Sequence, residues 1–92
     1  MRRVHVMVHG MVQGVGYRYT MRMVARKVGV AGWVRNLHDG SVEAEIEGTQ
    51  DQVDEVIAWM AQGPPGAQVE TAMVTDAVPI GERGFDVLPT GF

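Results

Sequence analysis

The sequence predicts an α+β fold, a ferredoxin-like βαββαβ sandwich with one mostly antiparallel sheet, two helices on one face and a short fifth strand. Three observations predict it. Apolar residues alternate at period two in several short runs, as half-buried strands require. They recur at helical spacing in only two stretches, each with its own start or stop signal. These segments follow one another in the order β-α-β-β-α-β. Ninety-two residues are enough for one modest core, so a single domain over 1–92 is expected.

The first strand is carried by Val4, Val6 and Val8, which share a face opposite His5, Met7 and His9. A glycine-rich stretch, Gly10 to Arg18, follows. Tyr17, Met21, Val24, Ala25 and Val28 then mark the buried face of a helix, and Gly29 is placed to end it. Met21 and Met23 read as core filler. The second strand is expected over 30–37 and the third over 41–47, where Val42, Ala44 and Ile46 alternate with Glu43, Glu45 and Glu47. A two-residue turn between them would pair Val34 with Glu45 and mix the faces. A three-residue loop, His38-Asp39-Gly40, pairs Val34 with Ala44 and Arg35 with Glu43, which keeps the apolar face whole. It also puts Gly40 at the left-handed position of such a loop. In that register Asn36 lies beside Val42, on the face that the helices cover.

Thr49 and Gln52 match a capping box, and Asp51 suits the positive end of a helix. Val53, Val56, Ile57, Met60 and Ala61 form its buried stripe, with Trp59 off the stripe at the domain edge. Gly63-Pro64-Pro65-Gly66 terminates it. A fourth strand fits 69–75, a loop 79–84 and a short last strand 85–88. The topology has a consequence for function. A helical crossover makes strands one and two run the same way, so both end at the same end of the sheet. The glycine loop leaves strand one there, and Asn36 closes strand two there.

The net charge of −3 hides an asymmetry. Residues 1–38 hold no Asp or Glu and seven of the eight basic residues, whereas from Asp39 onward eleven acids face Arg83 alone. Either two charged layers of one domain complement each other, or the basic half gathers an anionic ligand. The acidic total argues against a general nucleic-acid binder. The N-terminus is basic, but the alternation after it reads as a strand and not as a signal peptide. No apolar run approaches the ~18 residues needed to span a bilayer. A cytoplasmic protein is expected, with no disulfides, since cysteine is absent.

The loop itself is not a P-loop, because no Lys-Ser or Lys-Thr follows it. Nor is it the dinucleotide fingerprint, because the glycine spacing differs and no acid lies ~20 residues on. Gly10, Gly14 and Gly16 permit backbone angles that other residues avoid. Successive amides at a helix start then form an anion nest, with Arg18 in the first turn opposing the helix dipole. The alternative is a purely structural tight turn. Rival chemistries are poor. Ser41 is the sole serine and lies in a turn. His5 and His9 share the open face, where they read as partners for the row Glu43, Glu45 and Glu47, itself a solvated face. Arg35 is placed to pair with Glu43.

Two stretches carry a resemblance: Gly10-x-Val12-Gln13-Gly14-Val15-x-Tyr17-Arg18, and Gly32-Trp33-Val34-Arg35-Asn36-x-x-x-Gly40-x-Val42 ending at Gly48. In order and spacing they resemble the two signatures of the acylphosphatase family, and the likeness covers nearly the whole chain. It implies the same sandwich with a fifth short strand, and a hydrolase that splits small acyl phosphates into a carboxylate and inorganic phosphate without metal or cofactor. Carried over by position, Arg18 and the backbone N–H groups of Gln13, Gly14, Val15, Gly16, Tyr17 and Arg18 would hold the phosphate, and Asn36 would position the water. The implied partners are the acyl phosphate and phosphate, with no nucleic acid and no membrane, on a monomer.

Two departures stand out. Leu37 occupies a place where many relatives have Thr. The tail Pro89-Thr90-Gly91-Phe92 runs past the last strand, whereas in some relatives the terminal carboxylate lies close to the phosphate-binding Arg. Two other classes share the element order. One is a non-catalytic anion-binding module. The other is an RNA-binding module, which would need aromatics where strand three has Glu43, Glu45 and Glu47. A version acting on carbamoyl phosphate occurs as a domain of a larger maturation protein, for whose remainder 92 residues leave no room.

Overall fold

The computed structural model describes residues 1–91. Its elements are β1 (Arg2–Met11), α1 (Tyr17–Val28), β2 (Ala31–Asn36), β3 (Val42–Gly48), α2 (Gln50–Gln62), β4 (Gln68–Ala77) and β5 (Phe85–Val87). The sheet runs β4-β1-β3-β2-β5. β1 is antiparallel to both β3 and β4, and β2 is antiparallel to β3 and parallel to β5. Because β3 lies between β1 and β2, those two strands point the same way. Their C-terminal ends therefore meet at one end of the sheet.

The expected register between β2 and β3 is the one found: Val34 faces Ala44, Arg35 faces Glu43 and Asn36 faces Val42. Alternation then sorts the side chains. Val4, Val6, Val8, Val34, Val42, Ala44 and Ile46 meet Met21 and Ala25 of α1 and Val53, Val56 and Met60 of α2 in one core. A fully buried Val or Met stabilises the fold by about 1.5–3 kcal/mol. Both helix ends are satisfied as the sequence suggests. Thr49 and Gln52 form a reciprocal capping box at α2, and the Gly29 N–H at the end of α1 donates to the Ala25 carbonyl. Trp59 covers the edge by packing on Tyr17, with ring centroids 5.2 Å apart.

Several expectations are corrected. Met23 is 70% exposed and fills no core, because it points away from the stripe that Met21 occupies. Ala61 is exposed as well, one step past the buried face of α2. β4 is longer than expected, since the sheet edge continues hydrogen bonding to Ala77. Gly10 does not belong to the anion loop. It sits where the β1–β4 register shifts, and a Cβ there would collide with the Gln68 carbonyl. That close approach of two backbones, not a ligand, demands glycine at position 10.

The acidic row is not a solvated face either. Glu43 is bound by His5 Nε2 and Arg35 Nε, each at 2.7 Å. Burial pushes its carboxyl up, and the two bonds more than reverse this, leaving it below the usual range. Arg3 is 4% exposed and donates to Glu45 at 2.6 Å and to Glu47 at 3.3 Å. Glu47 also accepts from the amides of Ile80 (2.8 Å) and Gly81 (2.9 Å), which ties the β4–β5 loop across the open face of the sheet. The Ile80 amide foremost, then Arg3 and the Gly81 amide, hold the Glu47 carboxyl below its ordinary range against the effect of burial.

The chain after β5 stays beside β2. Leu88 N–H donates to the Val34 carbonyl and Gly91 N–H to the Asn36 carbonyl, each at 2.9 Å. The expectation about a terminal carboxylate falls on Phe92, which lies outside the described residues.

A depressed carboxyl pKa stabilises the folded state above the unfolded value near 4.5, and that contribution is lost as pH falls through the lower folded value. Glu47→Gln is therefore expected to lower the Tm at pH 7. The gap from the parent should close as pH drops below about 4. Thermal unfolding followed by circular dichroism between pH 3 and 7 checks this, and a gap that stays constant with pH would refute the linkage.

Candidate active site

The loop between β1 and α1 is pinned by its two valines. Val12 is buried and Val15 packs against the core, so the segment between them turns outward. Gly14 and Gly16 have φ of 75° and 77°. A Cβ at Gly14 would meet nothing within 4 Å, so the backbone conformation and not space requires glycine there. Gly16 is the N-cap of α1 and offers no side-chain cap. The Thr20 N–H is the one that closes the first helical turn, onto the Gly16 carbonyl at 3.0 Å. The amides before it in the first turn have no helical carbonyl to meet. They are available to an anion at the positive end of the helix dipole.

Gln13, Gly14, Gly16, Arg18, Tyr19 and Asn36 line a cleft of about 230 Å³ at this end of the sheet. Arg18 is half-buried, and among the described residues no carboxylate pairs with it. Asn36 Oδ1 is buried and has no hydrogen-bond partner among the described residues. An unpaired amide oxygen in that state costs roughly 1–3 kcal/mol unless something fills it. The two halves of the cleft are joined by one side chain. Gln13 Nε2 donates to the carbonyls of Leu37 and Ser41, both at 2.8 Å. Those carbonyls belong to the turn that follows Asn36, so Gln13 sets the loop against that turn. Tyr17 is present in the loop only by its backbone. Its ring is in the core, its hydroxyl donates to the Met60 carbonyl at 2.7 Å, and burial pushes the phenol pKa up. A larger hollow of about 530 Å³ opens at the opposite end, between Gly29, Arg26 and Phe85. There Arg26 donates to the Phe85 carbonyl and Glu47 is held as described, while Arg83 and Asp86 line it without an ion pair among the described residues.

A model of the family described as Acylphosphatase matches residues 4–87. The chain belongs to the acylphosphatase family. An acylphosphatase of Thermococcus kodakarensis is 51% identical over 86 residues, spanning 94% of each chain. That of Trichormus variabilis is 52% identical over 85 residues, 92% of this chain and 84% of that one. The crystal structure of an acylphosphatase from Bacillus subtilis superposes with a TM-score of 0.92 at 35% identity, covering 96% of this chain and 99% of that chain. The activity that goes with the acylphosphatase family is hydrolysis of the carboxyl–phosphate bond of small acyl phosphates, and the chain is an enzyme of that class.

The acylphosphatase cleft is lined by every residue singled out in the sequence except Val15, which packs against the core, and the Tyr17 ring is buried there as well. Two features were missed. Gln13 was expected to act by its amide, and its side chain turns out to be the clamp. Tyr19 was passed over although it lines the cleft. Its neighbours Arg18 and Arg22, at positions −1 and +3, were the available signal, because residues three apart on a helix share a face.

Removing the clamp deletes two hydrogen bonds, each worth about 0.5–1.5 kcal/mol, from the Leu37 and Ser41 carbonyls, which keep the Gly40 and Leu37 N–H groups as donors. Gln13→Ala is expected to destabilise the protein by about 1–3 kcal/mol. Gln13→Glu should cost more, since a carboxylate would then face two carbonyl oxygens. Urea unfolding of the three proteins gives the order. A Glu variant as stable as the parent would exclude the clamp.

Proposed function

We propose that the amides of Gln13 to Arg18 and the Arg18 guanidinium hold the phosphoryl group of the substrate, and that Asn36 orients the water that attacks it. The observation that carries this reading is the pairing of an unpartnered buried oxygen, Asn36 Oδ1, with an uncompensated arginine in one cleft. A phosphoryl group between them supplies the missing anion. A water beside it supplies the missing donor.

The chemistry asks little else of the protein. An acyl phosphate already has a carboxylate as its leaving group, so positioning and charge stabilisation do most of the work. Arg18 grips two phosphoryl oxygens in a fork that a lysine cannot reproduce. The first-turn amides of α1 face the same charge as it develops. Water bound to Asn36 Oδ1 presents its lone pair to phosphorus, the bond from phosphorus to the acyl oxygen breaks, and the carboxylate departs. Asn36 has no basicity at neutral pH, so the proton of the water passes to an oxygen of the phosphoryl group. The proposal calls on no metal, cofactor or nucleic acid. It has the chain work as a single domain and a monomer in the cytoplasm.

Losing one preorganised donor costs about 3 kcal/mol, so Arg18→Ala is expected to lower benzoyl phosphate turnover at least about 10²-fold and to abolish inhibition by phosphate. Arg18→Lys should recover little of either. Normal hydrolysis by Arg18→Ala would sink the assignment. A parent protein that binds phosphate and turns nothing over would make the site a regulatory anion module.

Asn36→Ala separates orientation from binding. It is expected to lower kcat about 10²-fold while phosphate inhibition stays near the parent value. If phosphate affinity fell equally far, Asn36 would be a binding group.

A further inference from the structure

The proposed phosphoryl step leaves one cation beside the cleft unused. Tyr19 lines the cleft and is 55% exposed. Arg18 precedes it, and Arg22 lies one turn further along α1. The guanidinium carbons of Arg18 and Arg22 sit 5.6 and 5.4 Å from the centroid of the same Tyr19 ring. Arg2, Arg3 and Arg35 are paired with carboxylates, and Arg26 donates to a carbonyl. Among the described residues, Arg18 and Arg22 have no such partner.

That arrangement is unfavourable on its own. Like charges four apart on a helix repel, and both sit in the half of α1 where the dipole is positive. The first turn carries no acid to offset them. The ring lowers the cost through its π face without cancelling either charge. One phosphoryl group answers Arg18. Nothing in that step answers Arg22, whose guanidinium packs on the Tyr19 ring that lines the cleft.

We propose that Arg22, seated on Tyr19, receives a second anionic group at the far end of the acyl chain. The enzyme then favours short acyl phosphates that end in a carboxylate over uncharged ones of the same length. The inference rests on the reading that Arg18 holds the phosphoryl group, and it adds a specificity-determining residue to that site. Tyr19 acts here as a positioning residue, because the Arg22 guanidinium rests on its ring and that ring lines the cleft.

Succinyl phosphate and butyryl phosphate have the same chain length and differ in the distal carboxylate, so the ratio of their kcat/KM values isolates it. Arg22→Gln is expected to lower that ratio about fivefold at low ionic strength, the scale of one partly exposed ion pair. Arg22→Lys should restore most of it, Tyr19→Phe should keep it, and Tyr19→Leu should lower it. Added salt should lower the parent ratio and leave that of Arg22→Gln nearly flat. An unchanged ratio in Arg22→Gln overturns the proposal. So does an equal fall for both substrates, which would make Arg22 part of a general attractive field. Arg18→Ala with normal butyryl phosphate turnover would instead overturn the phosphoryl reading on which this one rests.

Discussion

A single side-chain amide holds two separate parts of the chain in one working geometry. Gln13 stands in the loop after β1 and bonds the carbonyls of Leu37 and Ser41 in the turn after β2. The sheet brings these segments near each other, because β3 separates two strands that run the same way. Nearness alone leaves the loop free to shift by an ångström or more, and a misplacement on that scale is costly in catalysis. The two donated bonds remove that freedom. Arg18 of α1 and Asn36 of β2 then line one cleft.

The charge asymmetry of the sequence resolves into two different uses. On the open face of the sheet, Arg3 and Arg35 meet Glu45, Glu47 and Glu43, so the basic first half and the acidic second half neutralise each other. At the end of the sheet, Arg18 and Arg22 stay uncompensated. The first explanation of the asymmetry holds for Arg3 and Arg35, and the second is the one proposed for Arg18 and Arg22. The division follows from place in the fold. Arg3 and Arg35 stand on strands that flank β3, which carries the acids, whereas Arg18 and Arg22 stand on α1, whose first turn holds no acid.

The glycines divide in the same way. Gly14 and Gly16 serve backbone conformation, at positive φ in a loop with room to spare. Gly10 serves contact, where β1 and β4 come too close for a side chain. All three lie in one motif, and only the neighbours they meet in space tell them apart.

The sequence by itself determined the order of elements, the β2–β3 register and both helix caps, and it brought the glycine loop and Asn36 to the same end of the sheet. These rest on local rules: period-two alternation, the fixed offset of a capping box, and the cost of slipping a strand with one buried face. The tertiary structure alone decided that Glu47 is a buried tie for the 80–81 loop, that Met23 faces solvent, that the Gln13 side chain bonds the carbonyls of Leu37 and Ser41, and that Tyr19 carries two arginines. Each of these depends on which group arrives from a distant part of the chain. A buried carboxylate and a solvated one occupy the same place in an alternating pattern. They differ only in whether Arg3 and the amides of Ile80 and Gly81 come within hydrogen-bond reach.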